Sequence, residues 1–443
     1  MDEIITDLFS YLRFASVSAD AQYKAQTEAC ADWLTQRFQR AGLIAQKHPT
    51  DGYSIVVARS NLVAGFKTVL IYGHYDVQPP DPLELWNSPP FEPIIKDNRI
   101  VARGAADNKG QLLPHLFGVE KAIKENRLPV NVIFVVEGEE ESGSGNLEPF
   151  LRKNQETLRC DIAVISDSGM IAPGIPTLLY GMRGIVCLEV RLEGPSSDLH
   201  SGIFGGLVTN PGNAMARLIA DLQQDDSRIS IPGFYDRVRN LEPWERQLWQ
   251  DLPTTDQDWV NLTGSPRLRG EAGFSSLERI WARPSMDVNG FLSGYIGEGP
   301  KTIIPSKASA KISFRLVPDQ DADEIRNMIK DFIRRICPNS VRLELVDHHQ
   351  GPPYLIKPDS PYALAARRAL ESSFGKPAAM IRSGGTLPVA HLFKNIFGVD
   401  TLLIGLEWMD CRVHSPNEYF PIENLKLGVA MNQRLLTELA AAS

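Results

Sequence analysis

Four short apolar runs in this chain each end abruptly in an imidazole or a carboxylate. Thr68–Tyr72 leads into Gly73-His74-Tyr75-Asp76, and Val130–Val136 into Glu137-Gly138-Glu139-Glu140-Glu141. Ile162–Ile165 leads into Ser166-Asp167, and Thr401–Leu406 into Glu407, with His414 a little further on. Unbroken apolar runs of this length read as strands buried on both faces, the kind found in parallel sheets covered by helices. In open α/β sheets ligands bind outside the carboxyl ends of the strands. The four run ends therefore predict one crevice lined by histidines and acids.

The rest of the chain fits that frame. Residues 1–45 carry amphipathic helical runs at Ile4–Phe14 and Thr27–Ala41, and Gln111–Asn126 reads as a helix after the glycine-rich turn Gly104–Gly110. Near Arg183 the pattern changes. Ile185–Leu192 alternates apolar and charged residues, as a strand solvated on one face does. Asn210–Leu222 and Asp321–Ile336 read as helices, and Lys307–Val317 and Val341–Asp347 as further alternating strands; residues 225–285, rich in Trp, Pro and charge, read as helices and loops. From about Gly351 the α/β pattern returns, with helices at Ser360–Ser373 and Asn424–Ala441 around the Thr401–Leu406 strand. The expectation is a discontinuous α/β domain, a mixed and mostly parallel sheet with helices on both faces, formed by residues 1–182 and 351–443. A smaller α+β domain is inserted at 183–350.

Composition excludes several classes. With 46 basic and 54 acidic residues the net charge is −8, which argues against non-specific nucleic-acid binding. No apolar run approaches the roughly 20 residues of a membrane span. The start, Met1-Asp2-Glu3-Ile4-Ile5, lacks the basic and apolar regions of a secretory signal. Cys30, Cys160, Cys187, Cys337 and Cys411 are odd in number and form no CxxC, as expected of thiols in a reducing compartment. The expected location is the cytoplasm.

Taken singly, each polar cluster has a bland reading: a histidine at a strand end is usually structural, and an acidic run such as Glu139–Glu141 is usually a solvated loop. Together they conflict, because several carboxylates in a partly buried cleft repel one another and protonate. A cation removes the conflict. Two histidines with several Asp and Glu suit zinc, with cobalt or manganese as alternatives. Two divalent ions would balance three carboxylates and a bridging hydroxide, and ions roughly 3.5–4 Å apart can share a carboxylate and a water. Asp76 lies two residues past His74, where it either holds the second ring nitrogen or solvates the loop.

Gly73-His74-Tyr75-Asp76, Gly104-Ala105-Ala106-Asp107-Asn108-Lys109-Gly110, Glu139-Glu140-Glu141-Ser142-Gly143-Ser144, Ser166-Asp167 and His414 together resemble the co-catalytic zinc peptidases, the family of carnosinases, carboxypeptidase G, aminoacylases and deacylases. The resemblance covers nearly the whole chain in order. It implies that His74, Asp107 and Asp167 hold one metal and that Asp107, Glu141 and His414 hold another, Asp107 bridging. It implies that Glu140 is the general base, and that the Asp107–Asn108 peptide is often cis. The inserted domain resembles the family's lid and dimerisation domain. There His200, in Leu199-His200-Ser201-Gly202, would polarise the scissile carbonyl in the partner's site, so a homodimer is implied. Arg315, Thr302 and the turn Gly384-Gly385-Thr386 match positions that contact a substrate carboxylate.

Within the family, Asp at 167 tends to mark dipeptidases and carboxypeptidases, and Asp107-Asn108 with Glu-Ser-Gly-Ser after the base looks like the carnosinase type, as do the chain length and the long Leu222–Pro284 insert. Two small departures, the third acid in Glu139–Glu141 and Ala106 before the bridging position, remove no ligand. The resemblance thus implies hydrolysis of dipeptides or short peptides with a free C-terminal carboxylate. The alternatives are a carboxypeptidase or N-acyl amino acid amidohydrolase on the same fold and, from another class, a non-catalytic scaffold. A dinucleotide-binding reading fails, since Gly104–Gly110 is not GxGxxG and Asp107 would set an anion where phosphate belongs. His48, His115, His348, His349 and His391 have no ligand partners at a recognisable spacing and read as structural or exposed.

Overall fold

A computed structural model describes residues 2–442. The chain forms two compact units. The first contains the chain up to Tyr180, Ile356–Ile381 and the chain from Leu392 on; the second contains Gly181–Leu355 and Arg382–His391.

The first unit is built on a mixed sheet. Its strands run in the order Ile44–His48, Ile55–Arg59, Asn131–Glu137, Thr68–His74, Ile162–Ile165, Thr401–Gly405 and Thr177–Met182. The four from Asn131–Glu137 to Thr401–Gly405 are parallel, and the strands at both margins pair antiparallel. The central strands are apolar throughout because they are covered: Asn131–Glu137 is buried along its whole length and Thr68–His74 at all but its first residue. The helix Lys24–Arg40 packs on the first two strands and Lys109–Lys124 on Thr68–His74; Ile422–Ala441 packs on Lys109–Lys124 and on Pro361–Phe374.

The second unit centres on an antiparallel sheet in the order Ser285–Ser293, Lys307–Leu316, Gly184–Glu193, Arg342–Gly351. One face carries Val186, Leu188, Val190 and Leu192 with Ala310, Ile312 and Phe314, buried against Pro211–Leu222 and Ala322–Ile336. Ile325, Ile329 and Ile333 recur every four residues and form the apolar stripe of the second helix. Both helices begin at side-chain caps. Asn210 accepts from Gly212 N and Asn213 N ahead of Pro211, and Asp321 accepts from Glu324 N. Helices at Pro243–Gln250, Asp256–Thr263 and Ser276–Ala282 fill the stretch before Ser285.

Candidate active site

Parallel strands end on the same edge of a sheet, and that places the first unit's polar side chains. His74 closes its strand in register with Glu137. The turn carrying Glu140 and Glu141 follows Glu137, and Asp167 follows Ile162–Ile165 on the other side. Asp107 stands just before the helix Lys109–Lys124, across a cis Asp107–Asn108 peptide. His414 lies in the loop beyond Thr401–Gly405.

Two groups of possible ligands converge there, His74 with Asp107 and Asp167, and Asp107 with Glu141 and His414. Within each group the donor atoms lie within 4.8 Å of one another, and Asp107 belongs to both. His74 Nε2 is 3.0 Å from Asp107 Oδ1 and 3.7 Å from Asp167 Oδ2. His414 Nε2 is 2.9 Å from Asp107 Oδ2 and 3.3 Å from Glu141 Oε2.

The electrostatics are those of a site that wants cations. Burial, and the like charge of Asp107, Asp167 and Glu141, pushes the Glu140 carboxyl well above its ordinary range. Burial and the Asp107 charge raise Glu141 and Asp167 in the same way. Burial opposes ionisation of Asp107 too, but His414 and His74 outweigh it and hold that carboxyl low. Hydrogen bonding to Asp107 and Glu141 lifts His414 to about 10. Burial alone would lower His74; the carboxylates of Asp107, Asp167 and Asp76 overcome it and raise the imidazole well above 6.5. Without metal, protons must supply the positive charge. The fit to metal is direct: His74 Nε2 is buried without a hydrogen bond of good geometry, and it faces two carboxylates. Two imidazoles and three carboxylates are a donor set for zinc or a similar divalent ion.

The supporting contacts go beyond what sequence reasoning placed. His74 Nδ1 lies 3.1 Å from Asp76 O and 3.4 Å from Asp76 Oδ1. The Asp76 carboxylate also accepts from Glu140 N at 3.2 Å and Glu141 N at 3.1 Å, so it fixes the turn that carries both acids. Gln78 Nε2 donates to Glu141 Oε2 at 2.8 Å, and Asn108 Nδ2 donates to Asp167 Oδ1 at 2.9 Å. Glu407, just past a predicted strand, is half-buried with its Oε2 enclosed; burial and the charges of Asp107 and Asp167 raise its carboxyl well above its ordinary value.

The second unit holds the remaining sequence-identified residues in two places. Arg315 Nη1 donates to Thr386 Oγ1 at 2.9 Å, and that hydroxyl donates to Arg183 O at 2.7 Å. Gly385 N donates to Ser383 Oγ at 3.1 Å, and Arg183 Nε donates to Gly384 O at 3.1 Å, which shapes the turn. Arg183 is lowered to about 10 by burial and by the charge of Arg315. His200 pairs with Ile303, and Ser201 N donates to Thr302 O at 3.0 Å. His200 Nδ1 accepts from Gly202 N at 3.0 Å, so the neutral ring carries its proton on Nε2, which is left as a donor. Among the described residues no hydrogen bond links the His200–Thr302 pair to Arg315 or Thr386.

The other histidines stand apart from these clusters. His115 is buried between Ser166 and Asn432. His348 and His349 are exposed on Arg342–Gly351, and His391 is on Pro388–Phe397. His48 ends the strand Ile44–His48, and Pro49 limits the strand only from the next residue onward.

Comparison with known proteins gives concordant results. The model of the family described as peptidase family M20/M25/M40 matches residues 70–438. The chain is 31% identical to the Cys-Gly metallodipeptidase dug1 of Schizosaccharomyces pombe, over 100% of this chain and 96% of that protein. It is 31% identical to the human Beta-Ala-His dipeptidase over 84% of this chain and 75% of that one. Among solved structures, the M20 family metallo-carboxypeptidase Sso-CP2 of Sulfolobus solfataricus superposes with a TM-score of 0.90 at 32% identity, covering 100% of both chains.

Proposed function

The chain belongs to peptidase family M20/M25/M40, and we propose that it is a metal-dependent dipeptidase that cleaves the amide next to a free C-terminal carboxylate. The observation that carries this reading is the pair of ligand groups joined through Asp107, with Glu140 alongside. His74, Asp107 and Asp167 would hold one ion and Asp107, Glu141 and His414 a second, with zinc favoured by the donor set and manganese or cobalt as alternatives. When bound, such ions lower the pKa of a coordinated water and polarise the substrate carbonyl.

The chain's own groups do the rest. Glu140 takes the proton of the attacking water and later gives it to the leaving amine, so the products are a carboxylate and a free amine. Asp76 holds His74 on one side and the Glu140–Glu141 backbone on the other, which fixes the base relative to the ligands. Arg315 and Thr386 bind the substrate's C-terminal carboxylate, with Gly385 and Thr302 as further contacts. A guanidinium fork suits that anion, and the described residues give Arg315 no ion-pair partner. His200 Nε2 would donate to the carbonyl oxygen as it becomes an oxyanion.

We assign the second unit to a lid and dimerisation role, with His200 acting in the partner's site of a homodimer. Ile203 and Leu207, just after His200, are 69% and 76% exposed, which favours cover by a second copy. Relatives named as dipeptidases support the dipeptide reading. No described helix is long and apolar enough to cross a membrane, and five free cysteines suit a cytoplasmic setting.

A carboxypeptidase is the second reading, favoured by the likeness to Sso-CP2. One experiment separates them. The purified protein, with and without added zinc or manganese, is given a free dipeptide, its C-terminal amide, the matching N-acetyl amino acid and a longer peptide. Metal-dependent cleavage of the free dipeptide, with the amide and the longer peptide spared, is the expected result. Release of C-terminal residues from the longer peptide supports the carboxypeptidase. Cleavage of the N-acetyl amino acid alone overturns both readings, and so does cleavage of none.

A further inference from the structure

Glu418 is buried, and its carboxylate is saturated. Oε2 accepts from Arg103 Nη1 at 2.8 Å and from Gly104 N at 2.9 Å; Oε1 accepts from Ala106 N at 2.8 Å and from Asp107 N at 3.0 Å. Backbone N–H groups that point into one concavity form an anion-binding nest. Here the nest is filled by the chain's own side chain, from a residue more than three hundred positions away. The turn needs its glycine: Gly104 has φ +82°, and a Cβ there would sit 2.6 Å from Val77 Cγ1. The three N–H groups lie in a turn ahead of the helix Lys109–Lys124, outside any strand pairing. Without the carboxylate they would be buried donors without acceptors.

The chemistry of the site makes this contact informative. Asp107 ends the segment that Glu418 grips, and His414 lies four residues before Glu418 on the same loop. The Glu418 main chain adds to the grip, since its carbonyl accepts from Ala102 N at 3.1 Å. One side chain thus ties the strand-side loop of Asp107 to the loop of His414, whose rings and carboxylates lie 2.9 Å apart.

We infer that Glu418 is a positioning residue for the metal centre: it contacts neither metal nor substrate, and it sets Asp107 and His414 in the one arrangement in which both ligate. The inference rests on the metal centre of the proposed function. Partners of this kind commonly change metal affinity by about 10–100-fold when removed.

The test is a cobalt(II) titration of the metal-free, full-length protein, followed by visible absorption, with the thermal midpoint of the metal-free form measured alongside. Glu418→Gln keeps the length of the side chain but turns an amide N–H2 toward donors. It is expected to weaken cobalt binding by about 10–100-fold and to alter the cobalt spectrum. Glu418→Asp keeps the charge, falls one methylene short, and is expected to lie between. A lower thermal midpoint with wild-type affinity and spectrum would mean a purely structural role and overturn the inference. If Glu418→Gln does not fold, wild-type cobalt affinity in Glu418→Asp overturns it alone. If the wild-type protein takes up no cobalt, the metal centre itself falls and this inference with it; tight wild-type binding matched by the variants removes only the role of Glu418.

Discussion

At the scale of single residues, two carboxyl and imidazole environments make opposite demands. Burial and its acidic neighbours push the Glu140 carboxyl well above its ordinary range, and bound cations would favour the charged form that a base needs. Glu140→Gln removes the proposed base while leaving all five candidate ligands. It should retain wild-type metal content and lose roughly 10²–10⁴-fold in kcat; turnover near wild type would refute the assignment. His115 is the contrasting case. Asn432 Nδ2 donates to its Nδ1 and its Nε2 meets Ser166 Oγ, so the ring is buried as a neutral tautomer. Burial lowers it to about 4, from 6.5. Between those values the unfolded chain binds a proton that the folded protein does not. Stability from this group is therefore complete above about 6.5 and is lost as pH falls toward 4, at most about 3 kcal/mol. Urea unfolding of the metal-free protein at pH 7.5 and 4.5 should show a steeper loss for wild type than for His115→Gln. Equal losses would remove His115 from the acid limb.

At the scale of elements, helix packing near the site is tight enough to reverse a usual preference. Gly118 lies in mid-helix, where alanine normally gains about 1 kcal/mol. An added Cβ would sit 2.3 Å from Asn432 Oδ1 and 2.8 Å from Asn432 Cβ, on the packed helix Ile422–Ala441. Accommodating it displaces Asn432 from His115. Overpacking of this kind costs about 1–3 kcal/mol, so Gly118→Ala should lower the thermal midpoint; a rise would show that the two helices separate freely. The same elements show what was readable in advance. The parallel strands were evident because burial on both faces leaves no polar residue to interrupt them. Ile44–His48 was not, since a margin strand tolerates Gln46, Lys47 and His48. Ser285–Ser293 is exposed along most of its length and carries no burial pattern at all. Four of the five candidate ligands, His74, Glu141, Asp167 and His414, were legible for the same reason as the strands, as each comes after an apolar run; Asp107, in a turn ahead of a helix, was marked only by the family resemblance. Their supports were legible only in part: Asp76 stood out as a possible partner of the His74 ring, but its contacts to Glu140 N and Glu141 N, like those of Glu418, are to backbone N–H groups, which every residue but proline has, so no residue type marks the far end of the contact.

At the scale of the whole molecule, the untested question is whether one chain contains a complete catalytic set. His200 projects an Nε2–H from the exposed end of the short strand Leu199–His200, beside exposed Ile203 and Leu207. An oxyanion donor at such an exposed position works only where something orders it, and a second copy of the chain would do so. If His200 acts in trans, each site joins the Glu140 of one chain to the His200 of the other. His200→Ala and Glu140→Gln homodimers would both be crippled. Their mixed dimer would then hold one site with both groups intact and one with neither. After subunit exchange in equal amounts, half the dimers are mixed, so activity should return to about a quarter of wild type. If His200 serves its own chain, every site in the mixture lacks one group and nothing returns. Size-exclusion chromatography of the mixture secures the reading. Exchange without recovery refutes the trans role, and a protein that runs as a monomer with full activity refutes the dimer as well.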